Sequence, residues 1–258
     1  MSAGKSSKFG KRLYRCLKLA LLAYAVVVLV MFVFQRRFVF LPSNDVRPSG
    51  LEPWLNSESQ LIGYRHLVAE PKAVWLMSHG NAGQAADRDY LVSMLGPDVS
   101  LYVLEYPGYG SRPGSPSRSS IGEAASEAYH LVRDENPDTA ICLLGESLGS
   151  GPASELALEN PPPDKVVLVV PYDKLVNAAA HRFFFLPVRL LLLDQWDNVK
   201  ALQGYDGPVE IYAAVEDEII PFEFAESLSE QVTGSKLIRL EGGHEEWPLS
   251  KKMRLSYE

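Results

Sequence analysis

Only two cysteines, Cys16 and Cys142, occur in the 258 residues, too few for a disulfide framework and without the paired spacing of a structural zinc site. No Gly-x-x-x-x-Gly-Lys-Ser phosphate loop and no internal repeat occurs either (Gly4-Lys5-Ser6 lacks the upstream glycine), which excludes P-loop nucleotide chemistry and solenoid architectures. The first 18 residues lack any acidic side chain but hold Lys5, Lys8, Lys11, Arg12, Arg15 and Lys18. Taking those six from the 25 basic residues leaves 19 against 32 acidic ones, a balance of −13 for the rest. So acidic a body repels a phosphate backbone, and nucleic-acid binding is not expected.

Directly after the basic cluster comes a charge-free run, Leu19 to Phe34, that is apolar on every side of a helix. Residues 19–36 therefore read as a transmembrane anchor, slightly short for a ~30 Å hydrocarbon core, with Lys18 and Arg36 able to snorkel at its ends. A cleaved signal peptide is the rival reading. The small pair Ala23 and Ala25 lies inside the apolar run rather than after it, which favours an uncleaved anchor. Basic residues are denser before the span than after it, so a cytoplasmic N-terminus (1–18) is expected, with the body on the far side: periplasm, exterior or lumen. Cys16 then sits at the cytoplasmic border, while Cys142 lies on a core strand; the two should not meet.

Residues 37–50 read as a polar, proline-containing connector, and 51–258 as one catalytic-size domain. Apolar runs at 60–68, 72–77, 99–105, 139–144, 165–170, 208–214 and 235–240 predict strands, several rich enough in Val, Leu and Ile to be covered on both faces. Helices are expected over 85–95 and 121–135, the second opening on a capping-box spacing from Ser120 to Glu123. The alternation predicts an α/β fold with a mostly parallel central sheet and helices on both faces.

The chemistry centres on Gly145-Glu146-Ser147-Leu148-Gly149, which succeeds a short apolar strand and precedes a helix-prone stretch beginning near Pro152. Such a Gly-x-Ser-x-Gly turn exposes a nucleophilic serine above the carboxyl edge of a sheet. A serine hydroxyl needs a base, and the base needs an orienting acid. His244, after Gly242-Gly243 at a strand end, is the candidate base. Asp217 is the candidate acid, although Glu216 and Glu218 beside it carry the same chemistry. Two backbone donors would stabilise an oxyanion: the Leu148 amide and one from the loop His79-Gly80-Asn81-Ala82-Gly83, with Asn81 preferred and Ala82 its neighbour. His79 at the strand tip reads as a brace for that loop rather than as a base.

Together, His79 to Gly83, Glu105-Tyr106-Pro107-Gly108-Tyr109-Gly110-Ser111, Pro113 to Pro116, the elbow from Gly145 to Gly151, Glu216 to Pro221 and Gly242-Gly243-His244 resemble the Bem46-like branch of the α/β-hydrolase superfamily. The likeness runs from about Phe38 to His244, and Phe38-Val39-Phe40-Leu41-Pro42 after an anchor is part of it. Ala214 departs from it, because the family usually has glycine there. The resemblance implies a membrane-anchored serine hydrolase acting on acyl esters or thioesters of small molecules, lipids or acylated proteins. Triad chemistry requires neither metal nor organic cofactor. An insertion at 172–204, with Phe183 to Leu193 carrying a single charge, is expected to cap the site; it would suit an acyl chain, rest on the bilayer, or simply pack onto the domain. A peptidase on the same triad and a non-catalytic, membrane-tethered binding protein are the alternatives.

Overall fold

The computed structural model describes residues 3–45 and 47–257, with side chains from residue 9 onward. Its first element is one long helix, α1 (Ala3–Val39), long and apolar enough from Phe9 to Val39 to cross a membrane and not buried by the rest of the chain. The helix does not stop where the apolar run stops. It continues through Arg36 and Arg37 to the edge of the globular body.

Behind it stand β1 (Leu41–Pro42), β2 (Glu52–Leu55), β3 (Leu61–His66), β4 (Ala73–Ser78), β5 (Ala82–Gly83), β6 (Val99–Leu104), β7 (Ala140–Glu146), β8 (Lys165–Val169), β9 (Val209–Ala214) and β10 (Lys236–Leu240). Eight of these form one sheet in the order β10-β9-β8-β7-β4-β6-β3-β2. It is parallel from β6 to β10, and β3 and β2 add antiparallel strands at one edge. The central strands β4, β6 and β8 are buried along their whole length, as strands covered on both faces must be.

The helices are α2 (Arg118–Glu135), α3 (Ser150–Leu156), α4 (Leu175–Arg182), α5 (Val188–Leu191), α6 (Asn198–Leu202) and α7 (Phe222–Gln231). Pleating sends alternate residues of a strand to opposite sides. Val74 and Leu76 thus join a core with Ile121, Ala125, Tyr129 and Val132 of α2, while Trp75 and Met77 face the other core. That second core is closed by Ala85 and Leu91 of a 3₁₀ segment and by Trp247, Met253 and Leu255 of the C-terminal tail. The tail carries no motif, yet it seals one face of the sheet.

Two expectations are corrected, and two features are added. The second helix begins at Arg118, not near Ser120, because Ser117 is its N-cap: Ser117 Oγ accepts from the Ser120 amide (3.1 Å), and the Ser117 amide donates to Ser120 Oγ (3.0 Å). Serine at the third helical position does the reciprocal work assigned to Glu123. Residues 85–95 form a 3₁₀ segment (Ala85–Ser93) with non-helical angles at Arg88. Strand β2 escaped notice because it is a four-residue edge strand containing Pro53, which an edge tolerates. Finally, part of the 37–50 connector packs onto the body. Phe40 is buried in the main core, and Leu41 and Pro42 pair in parallel with Ala82 and Gly83.

The free cysteines lie far apart in character, Cys16 exposed on α1 and Cys142 buried on β7, where burial pushes its thiol up to about 12. A thiol held so high is inert near pH 8. Iodoacetamide should therefore modify Cys16 alone in the native protein, read by peptide mass; alkylation of Cys142 without denaturant would show that this strand is accessible.

Candidate active site

Strand β7 delivers Ser147 to the carboxyl edge of the sheet, where a 3₁₀ turn (Ser147–Gly149) leads into α3. Ser147 has φ = 51°, a left-handed angle unusual for a residue with a side chain. The turn closes only because its neighbours are glycines. A Cβ on Gly149 would lie 2.0 Å from the Ser78 carbonyl oxygen, and one on Gly151 2.4 Å from the Trp196 ring. The elbow is thus seated directly on the end of β4.

His244 and Asp217 reach Ser147 from the ends of β10 and β9. Asp217 is buried whereas Glu216 and Glu218 are exposed, which leaves Asp217 as the acid of this cluster that faces inward. Its Oδ1 accepts from the amides of Ile219 and Ile220, both at 2.8 Å, and its Oδ2 lies 2.6 Å from His244 Nδ1. A carboxylate can only accept, so Nδ1 carries the proton. His244 Nε2 is then free to accept from Ser147 Oγ, 2.9 Å away. Buried Ala214, at the end of β9, leaves this line undisturbed.

The loop after β4 is held from several sides. His79 is fully buried; its Nδ1–H donates to the Gly80 carbonyl (2.8 Å) and its ring stacks on Tyr106 with centroids 4.2 Å apart. Tyr106 Oη donates to the His79 carbonyl at 2.6 Å, and burial raises this phenol far above its ordinary range, keeping it a donor. The Asn81 carbonyl accepts from Tyr109 Oη (2.8 Å) and the Leu41 amide (2.9 Å), while Asn81 Nδ2 donates to the Val39 carbonyl (3.2 Å). These bonds clamp the Asn81–Ala82 peptide, and the bond from His79 to the Gly80 carbonyl fixes the peptide that carries the Asn81 amide.

Some supporting residues gave no readable signal in the sequence. Glu146, the variable position of the Gly-x-Ser-x-Gly turn, accepts from the Gly80 amide (3.2 Å) and pairs with Arg88 Nε (3.1 Å). This pair ties the elbow to the 3₁₀ segment and the β4 loop. Glu105 accepts from the Ala85 amide with both oxygens, at 3.1 and 3.2 Å, beside His79. Only their charge in otherwise apolar, glycine-rich surroundings could have marked them.

Known proteins share this architecture. An esterase of Pyrococcus furiosus superposes with a TM-score of 0.62 at 12% identity, over 82% of this chain and 94% of that one. A hydrolase of Pseudomonas aeruginosa does so at 0.56 and 16%, over 77% and 92%. In sequence, an uncharacterized protein of Mycobacterium tuberculosis is 30% identical over 235 residues, 84% of this chain and 83% of the relative. The chain belongs to the α/β-hydrolase superfamily. No family model matches it. The lysophosphatidylserine lipase ABHD12 of Xenopus tropicalis is 25% identical over 199 residues, which are 68% of this α/β-hydrolase chain and 51% of that lipase.

Because the elbow presses on the β4 carbonyls, Gly149→Ala should lower stability by at least about 1–3 kcal/mol, the usual cost of overpacking. Thermal unfolding in detergent reads the loss, and an unchanged midpoint would mean the two loops do not touch.

Proposed function

We propose that this chain is a membrane-anchored serine hydrolase that cleaves acyl ester or thioester bonds of lipid-like or acylated substrates. The observation that carries the reading is the unbroken line from Asp217 through His244 to Ser147 at 2.6 and 2.9 Å, ending on a serine held at positive φ. Strain of this kind persists only where surrounding structure enforces it, and it concentrates at functional sites. The relatives' chemistry agrees: a lysophosphatidylserine lipase, an esterase and a thioesterase domain are among them. The Bem46-like motifs point the same way.

In this mechanism His244 Nε2 takes the Ser147 proton as Oγ attacks the acyl carbon. The negative charge that develops on the carbonyl oxygen is met by the main-chain amides of Asn81 and Leu148. Collapse breaks the ester or thioester bond, and the proton on His244 passes to the departing alcohol or thiol. A water molecule then gives its proton to His244 and attacks the acyl-enzyme, releasing the acid and restoring Ser147. Asp217 holds the imidazole in the needed tautomer and balances its charge. The Asn81 N–H shares its peptide with the Gly80 carbonyl, which His79 Nδ1–H holds at 2.8 Å, while the bonds to Asn81 hold the next peptide, so the donors are set before charge appears. The insertion 172–204, which carries α4, α5 and α6, caps the site, and α1 holds the domain on the far side of the membrane from the basic N-terminus.

A fluorophosphonate probe should label the full-length wild type in detergent and leave Ser147→Ala unlabelled. The same substitution should cut acyl-ester turnover by about 10⁴–10⁶-fold, without a change in thermal midpoint. Labelling that survives in the variant, or folded wild type that never labels, would sink the proposal. Asp217→Asn should cost about 10⁴-fold in kcat by favouring the wrong tautomer; a loss of only a few-fold would remove Asp217 from the mechanism.

A further inference from the structure

The cap is bound to the anchor well inside the apolar run. Tyr24 Oη donates to the Phe185 carbonyl at 2.9 Å, and Gln35 Nε2 donates to the Leu191 carbonyl at 3.2 Å. Gln35 Oε1 accepts from the Leu193 amide at 2.8 Å, and Arg36 Nε pairs with Asp194 at 2.7 Å. From Arg36 back to Tyr24 the cap tracks α1 for about 18 Å, at about 1.5 Å per residue.

That length is more than half of a ~30 Å hydrocarbon core. A cap standing in water would keep Tyr24 to Phe34 out of the lipid and leave only Leu19 to Ala23 as apolar chain, too short to cross. A crossing α1 and this cap contact can coexist only if the cap tip lies at the depth of the helix.

The chemistry of the cap fits immersion. Phe184 and Leu190 are 85% and 86% exposed, and Phe185 and Leu193 are exposed beside them. In hydrocarbon every backbone polar group needs a partner from the protein. Tyr24 and Gln35 are polar residues in an otherwise apolar stretch, and both serve cap backbone groups: the carbonyls of Phe185 and Leu191 and the amide of Leu193. The Leu186, Leu190 and Leu192 amides donate within the cap itself. Between α1 and the cap runs an apolar cleft walled by Met31, Phe32, Phe38, Phe183, Leu186 and Leu191. Arg182 precedes the apolar tip and Arg189 lies within it, beside Leu190; Arg189 donates to Asn177 Oδ1 at 2.9 Å, back toward α4, and a long arginine stem lets the head reach the polar boundary.

We infer that Phe183 to Leu193 is a re-entrant membrane element that dips into the bilayer beside α1, with Phe184 and Leu190 among the lipid chains and the α1–cap cleft opening into lipid. The inference rests on α1 being a membrane span and is independent of which residues carry catalysis. Cleft residue Val39 shares a hydrogen bond with Asn81, so the immersed cleft adjoins the loop at the candidate active site.

The test places a single environment-sensitive fluorophore on Phe184→Cys or Leu190→Cys in full-length protein with Cys16→Ser, reconstituted in phosphatidylcholine vesicles. Val27→Cys on α1 and Leu158→Cys at the carboxyl end of α3 are the references, both exposed on the protein. Probes at 184 and 190 should match the one at 27: quenched by nitroxide-bearing lipid chains and several-fold less accessible to aqueous iodide than the probe at 158. Probes at 184 and 190 behaving like 158 while 27 stays in lipid would overturn the immersed cap and leave the span standing. All four in water would overturn both, and fluorophosphonate labelling of the same preparations reads the hydrolase proposal separately.

Discussion

Ser147 keeps a left-handed backbone angle that costs a residue with a side chain about 1–3 kcal/mol, and much of the surrounding architecture can be traced to holding it there. Gly149 lets the turn rest on the carbonyls of Ser78 and His79; Gly151 lets α3 approach Trp196 and Tyr172. Two central, adjacent strands, β7 and β4, therefore end in one shared structure rather than in two separate loops. The pair of buried Glu146 with half-buried Arg88 adds the 3₁₀ segment to it, and the bond from Gly80 to Glu146 closes the circuit. A charge pair this enclosed is weak evidence for added stability. Its use here is positional, since Glu146 alone would be a buried charge.

The second support comes from an unexpected quarter. The chain leaving α1 does not hang loose before the domain but runs as β1 along β5, with Leu41 and Ser43 donating to the carbonyls of Asn81 and Gly83. Asn81, whose amide is the proposed oxyanion donor, is thus gripped by the same segment that emerges from the anchor. Arg36 and Asp194 join the anchor to the cap as well, and Asp194 also accepts from the Arg118 amide at the start of α2. Movement of α1 against the body would be felt on both sides of the site. The apolar helix and the candidate site are joined through backbone hydrogen bonds, which a flexible tether would not provide.

Much was legible in the amino-acid order because the relevant signals are local. Continuous Val, Leu and Ile runs marked the buried parallel strands, the glycine spacing around Ser147 marked a sharp strand-to-helix turn, and the charge-free run from Leu19 to Phe34 marked a helix apolar enough for a bilayer. The chain order Ser147, Asp217, His244 came from residues at strand ends. Each of these depends on the period or composition of a few neighbouring residues, so each survives without knowledge of the fold.

What the tertiary structure alone decided are the pairings between distant segments. Nothing near Asp217 in sequence distinguishes it from Glu216 and Glu218; the sheet does so by turning Asp217 inward to His244 and its neighbours out to water. Leu41 and Pro42 are too short a stretch to announce a strand, and they become one because the β4 loop offers free backbone groups there. Glu146 gains its role from Arg88 and the Gly80 amide, and Glu105 from the Ala85 amide, all partners distant in sequence. The contact of Tyr24 and Gln35 with the cap spans more than 150 positions in the chain. Local order sets propensity and chemistry, whereas partners are chosen by which surfaces the folded chain brings within hydrogen-bonding distance.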